Sequence, residues 1–212
     1  LLAGRDRAKA VEAALALQAE DLPVEAITLD VTDPISIAAA ADEIARRHGR
    51  LDILVNNAGI LIDDPQQGIA GQSIETWRTT FETNVFGLIA TTQALLPLLR
   101  ESAAGRIVNV SSLLGSMTQH VDPASRVFEL KGIPAYNVSK STVNAWTVHL
   151  AHALRDTSVK VNAVHPGAVK TDGKPNGELE LPEGAKSAVA LALIGADGPN
   201  GSFSHLGEVL PW

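Results

Sequence analysis

Short apolar runs alternate with longer mixed runs along this chain. Leu1, Leu2 and Ala3 read as the end of a buried strand, and Gly4-Arg5-Asp6 as a turn. An alanine-rich run over 8–20, with Val11, Leu15 and Leu17, predicts an amphipathic helix. A strand over 24–29 ends at Asp30-Val31-Thr32-Asp33. Asp33 can cap a helix that starts at Pro34, carries Ile37, Ala41 and Ile44, and stops near Gly49. A short strand over 53–55 runs straight into Asn56-Asn57-Ala58-Gly59. Residues 73–100 read as one long helical region, 106–112 as a strand, 113–134 as irregular and 135–155 as a long helix. A strand over 159–164 ends in His165-Pro166-Gly167, and a helix over 182–193 and a strand over 208–210 follow.

The strands are continuous apolar runs rather than alternating ones. Such strands are buried on both faces, so the pattern predicts an α/β fold with a doubly wound parallel sheet, Rossmann-like, in one domain over 1–212. Ligands in this architecture bind beyond the carboxyl ends of the strands. Arg5, Asp30, Asn57, Ser112 and Pro166 all fall just past a predicted strand.

Composition narrows the classes. A formal charge of −7 argues against general nucleic-acid binding. No apolar run is long enough to span a bilayer. With no cysteine there is no disulfide, thiolate nucleophile or thiolate metal site. His120, His149, His152 and His165 lack metal-ligand spacing with carboxylates, so no metal is expected. These features fit a cytoplasmic protein. Residue 1 is leucine and the only methionine is Met117, so translation is expected to start upstream of Leu1.

The chemistry centres on Tyr136, the only tyrosine, with Lys140 four residues on. Residues i and i+4 share one helix face. A cation about 5 Å from a phenol, at an effective dielectric near 20, favours phenolate by roughly 3 kcal/mol. That amounts to about two pKa units before desolvation is counted. The pair can exchange protons near neutral pH. Taken alone, such a spacing is commonly a surface tyrosine over a lysine stem.

Asp30-Val31, Asn56-Asn57-Ala58-Gly59, Asn84, Ser111-Ser112, Tyr136-x-x-x-Lys140 and Pro166-Gly167-x-Val169-x-Thr171 occur in the order seen in the short-chain dehydrogenase/reductase family. The chain resembles that family over nearly its whole length, and more specifically its carbonyl reductases. The resemblance implies an enzyme that transfers a hydride between a nicotinamide dinucleotide and a small carbonyl or alcohol. Tyr136 would be the acid/base, and Lys140 would lower its pKa and hold the nicotinamide ribose. Ser112, rather than Ser111, would orient the carbonyl. Asn84 would kink its helix and hold a water behind the lysine. Asp30 and Val31 would meet the adenine, and Asn57, Ala58 and Gly59 the ribose or pyrophosphate, where a Cβ at Gly59 would clash. Pro166, Gly167, Val169 and Thr171 would hold the carboxamide. Ile60, Leu61, Trp77, Leu113, Leu114, Met117, Val121 and Phe128 are candidate walls for an apolar substrate.

An acidic residue after the second strand of a dinucleotide fold holds the ribose hydroxyls, whereas arginine there accommodates a 2′-phosphate. Gly4 stands at the acid's place, followed by Arg5, with Lys9 nearby. NADP(H) is therefore expected over NAD(H). The segment over 113–135 resembles the insertion of monomeric carbonyl reductases. It is expected to cover the helix face used for association, giving a monomer or weak dimer. No G-x-G-x-x-G follows a strand in this sequence, and the family's first strand and phosphate loop would precede Leu1. A second reading is accordingly a non-catalytic binding or interaction module.

Overall fold

The computed structural model describes residues 1–171 and 175–212. Two parallel strands open the chain, β1 (Leu2–Gly4) and β2 (Ala26–Thr28), separated by helix α1 (Arg7–Gln18). Helix α2 (Pro34–His48) leads to β3 (Ile53–Asn56). After the short α3 (Gly68–Gly71) come α4 (Ile74–Phe81), a π-helical turn over Glu82–Gly87, and α5 (Leu88–Arg100). Strand β4 (Arg106–Val110) is followed by a 3₁₀ turn (Leu113–Gly115), α6 (Met117–Val121), α7 (Pro134–Ala153) and β5 (Lys160–Val164). Helix α8 (Leu181–Ala192) and strands β6 (Phe203–His205) and β7 (Glu208–Val209) end the order.

The strands form two sheets rather than one. Strands β1 and β2 pair only with each other, and β3-β4-β5-β6-β7 form the second sheet, parallel except for β7. The division falls between β1 and β3, the place of the central strand in a Rossmann sheet. On that side Ile53 and Val55 are 38% and 41% exposed, unusual for apolar residues of an interior strand. Helices join the two parts. Ile27, Ala40, Ile44 and Leu95 form one buried cluster, with Leu54 packed against it. A second cluster, Leu99, Ile107, Leu150, Leu154, Val159 and Val161, holds α5 and α7 on the larger sheet.

Local signals explain the helix limits. Asp33 caps α2 by accepting from Ile35 N, and Gly49 ends it in the left-handed region at φ 70°. In α1 the expected apolar face is corrected: Ala10 and Ala14 are buried, while Val11 and Leu15 face solvent. The helix lies so close to β1 that a Cβ on Gly4 would stand 3.2 Å from Ala10 Cβ, leaving room only for alanines. The predicted helix over 73–100 is interrupted by the π turn, and 113–134 contains two short helical turns rather than none. Strand β6 was not predicted.

Candidate active site

Tyr136 lies in the first turn of α7, with Lys140 one turn on and its Nζ 5.6 Å from the phenol ring centre. Lys140 is buried, and its Nζ donates to Val110 O at 2.8 Å. Burial draws the ammonium down to about 8. Burial pushes the Tyr136 phenol up, and the hydrogen-bonded Ser112 hydroxyl pulls it part of the way back. This corrects the expected electrostatics. Lys140 is itself driven toward the neutral form, and the group that lowers the phenol is Ser112.

The two serines after β4 divide their work. Ser111 Oγ donates to Asn144 Oδ1 at 2.6 Å and is held in the core. Ser112 faces Tyr136, and its Oγ also accepts from Leu114 N at 3.2 Å. The turn that follows packs hard on α7: a Cβ on Gly115 would stand 2.7 Å from Lys140 C.

Asn84 sits buried inside the π turn, whose wider ring lets the helix bend there. Its Nδ2 donates to Ile60 O at 2.9 Å and to Ser139 Oγ at 3.0 Å, and its Oδ1 accepts from Ile60 N at 2.8 Å. Both amide hydrogens are therefore used, and the side chain clamps the loop after β3 to α7. Gly59 lies beside the same groups. A Cβ there would point inward, 3.4 Å from Asn84 Oδ1 and 3.5 Å from Lys140 Nζ. Asn57, Ala58 and Gly59 are exposed at the carboxyl end of β3. Asn56 is buried, donating to Thr92 Oγ1 and Asn109 Oδ1, both at 2.9 Å.

After β2, Asp30 Oδ1 accepts from Thr32 N at 2.9 Å and from Thr32 Oγ1 at 2.7 Å. These bonds, with a smaller contribution from the Arg5 charge, hold its carboxyl below the usual range. Val31 packs beside Gly87 of the π turn, where a Cβ would meet Val31 O at 2.7 Å. Arg5 is exposed and forms no salt bridge among the described residues. Beyond β5, Pro166 is half-buried and Gly167 has φ +88°, a conformation that favours glycine. Val169 bridges to Leu179, and Thr171 is exposed beside the undescribed residues.

Of the candidate substrate walls, Leu113 belongs to the core, while Met117 and Val121 are exposed. The insertion is bonded to α7 through Asn137 and Asn144, while Phe86 on the π turn is 54% exposed and Val138 and Val148 on α7 are each 41% exposed. Among the described residues no group of three His, Cys, Asp or Glu side chains could hold a metal. Sequence reasoning missed Ser139 and Asp63. Asp63 accepts from Ala135 N and Tyr136 N. Its only sequence signal is indirect: Ile133 precedes the helix and cannot cap it.

A model of the short chain dehydrogenase family matches residues 1–179. Short-chain dehydrogenase/reductase 1 of Saponaria officinalis is 34% identical over 267 aligned residues, covering all of this chain and 87% of that protein. Carbonyl reductase [NADPH] 1 of Mus musculus is 34% identical over 252, covering 100% and 88%. Among solved structures, an NADPH-bound carbonyl reductase from chicken fatty liver superposes with a TM-score of 0.82 at 26% identity, over 95% of this chain and 82% of that one. The carbonyl reductase Sniffer of D. melanogaster gives 0.83 at 27%, over 99% and 86%.

Proposed function

The chain belongs to the short-chain dehydrogenases, and from that premise we propose that it transfers a hydride between NADP(H) and a carbonyl or alcohol, with Tyr136 as acid/base. The observation that carries this is the meeting of Ser112, Tyr136 and Lys140 beyond the carboxyl end of β4, with Asn84 tying the adjoining loop to the same helix.

The residues present suit a phosphorylated dinucleotide at its two ends. The exposed Arg5 guanidinium forms no salt bridge among the described residues and suits a 2′-phosphate. Asp30 keeps its second carboxylate oxygen for an adenine amino group. Asn57, Ala58 and Gly59 would line the ribose, and Pro166, Gly167, Val169 and Thr171 the carboxamide. When bound, the dinucleotide supplies the carbon that gives or takes the hydride. Ser112 donates a hydrogen bond to the substrate oxygen. Tyr136 Oη gives that oxygen a proton in reduction and takes it back in oxidation. Lys140, poised near neutral, restores the proton on the phenol side and can hold ribose hydroxyls. The printed names of the relatives, carbonyl reductases that use NADPH, support the choice of cofactor and substrate class.

The test is a panel of apolar aldehydes and ketones, with oxidation of NADPH and of NADH followed by absorbance. NADPH should be consumed faster. Tyr136→Phe should abolish turnover and keep NADPH binding, since only the phenol proton is lost. A Phe variant that keeps most of its rate overturns the mechanism.

A further inference from the structure

The helix that carries Tyr136 and Lys140 starts without a cap of its own. Its flanking residue is Ile133, which offers no side-chain acceptor, and Pro134 opens the first turn. A helix start leaves backbone N–H groups unpaired, and a capping side chain takes those of the second and third residues. In α7 these belong to Ala135 and to Tyr136 itself. Asp63, far back in the sequence, accepts both: Ala135 N donates to Oδ1 at 2.7 Å and Tyr136 N to Oδ2 at 3.1 Å. The residue is 7% exposed, so solvent competes little for these bonds. A carboxylate at this end of a helix also meets the positive pole of the helix dipole.

We propose that Asp63 is a positioning residue of the acid/base site: by holding the backbone of Tyr136 against the loop that leaves β3, it sets where the phenol stands relative to Ser112 and Lys140. This rests on the reading of Tyr136 as the acid/base. The loop concerned carries Asn57, Ala58 and Gly59, and it is fastened to the catalytic helix region at two points. Ile60 is bonded to Asn84, which reaches Ser139, and Asp63 is bonded to Tyr136. A cap supplied at position 133 itself would satisfy the helix but leave this loop tied only through Ile60. The pairing therefore links the segment beside the cofactor to the residue that moves the proton.

The experiment uses the intact protein with NADPH and 4-nitrobenzaldehyde. A parallel measurement needs no substrate: isotope labelling of the tyrosine ring carbon that bears the hydroxyl gives an NMR resonance for Tyr136, assigned by its loss in Tyr136→Phe. Asp63→Ala should lower kcat by roughly ten- to a hundredfold, as misplacement of a reacting group does. NADPH binding should persist, and the tyrosine resonance should be displaced or split. Asp63→Asn keeps one acceptor and should recover most of the turnover. If Asp63→Ala lowers the melting temperature but leaves kcat and the resonance at wild-type values, Asp63 is only a cap and the proposal fails. Should Asp63→Ala not fold, Asp63→Asn carries the test: a displaced resonance with a partial loss of kcat supports the proposal, and a lowered melting temperature with kcat and resonance at wild-type values overturns it. Full activity in Tyr136→Phe would sink the acid/base reading instead. A dead Phe variant beside an unaffected Asp63→Ala sinks only this inference.

Discussion

Lys140 shows how one side chain ties chemistry to stability. Burial lowers its ammonium to about 8 in the folded chain, against about 10.4 for an unfolded lysine. Between those values the unfolded chain holds a proton that the folded one has released, so stability rises with pH. The limiting slope is about 1.4 kcal/mol per pH unit. Tyr136 has the opposite sign: its phenol is raised, so the stability it contributes is present below about 10 and lost above it. The cofactor-free protein should therefore gain thermal stability from about pH 8 toward about pH 10. Lys140→Met should flatten that rise, as unfolding curves across the pH series will show. Equal slopes in both proteins would mean that the lysine is not desolvated. Ser112 was separable from Ser111 only by the family resemblance, and the structure bonds Ser111 to Asn144 while Ser112 faces the phenol.

At the scale of elements, the contact that aligns the site is the one between α7 and the 3₁₀ turn after Ser112. Asn144 Nδ2 donates to Gly115 O at 3.2 Å, and His120 Nε2 bonds to Leu114 O at 2.9 Å. The chain end adds two more ties, Ser116 Oγ to Pro211 O at 2.8 Å and Thr118 N to Trp212 O at 2.9 Å. Gly115 permits this approach, because an added Cβ would lie 2.7 Å from Lys140 C and 2.8 Å from Lys140 O. Gly115→Ala should thus cost roughly 1–3 kcal/mol of stability by overpacking. It should also lower kcat, because the turn carrying Ser112 must move off the helix. Chemical denaturation and turnover measured on one preparation test both, and wild-type values for both would show that the turn yields freely. The π turn is a second device at this scale. Sequence periodicity runs unbroken through Phe81 and Phe86, so it could not reveal the extra residue that turns Asn84 toward Ile60 and Ser139.

Across the whole molecule, the association face is the open question that the packing informs. Phe86, Val138 and Val148 remain exposed, and the segment over 113–135 does not hide them. Such a stripe favours contact with a second copy, yet a few half-exposed side chains make a small apolar area. We therefore expect a weak dimer, the upper bound of the sequence expectation. Light scattering should give a mass that rises from one chain toward two with concentration, and Phe86→Glu should hold it at one. A tetramer that persists at nanomolar concentration would refute this.

The sequence by itself determined the alternation of strands and helices, the positions of the strand ends, and the spacing of Tyr136 and Lys140. Each is set by local periodicity or by neighbours within one or two turns. The limits of α2 at Asp33 and Gly49 were legible for the same reason. Only the tertiary structure decided the rest. It placed alanines rather than Val11 and Leu15 against β1, because the distance to Gly4 fixes the room available. It divided the sheet between β1 and β3, since backbone pairing depends on partners remote in the chain. It reversed the expected shift on Tyr136, because desolvation depends on everything packed around the phenol. It brought Asp63 to the start of α7, a contact across 72 and 73 positions that no local pattern encodes, because a helix end is satisfied by whichever acceptor the fold delivers.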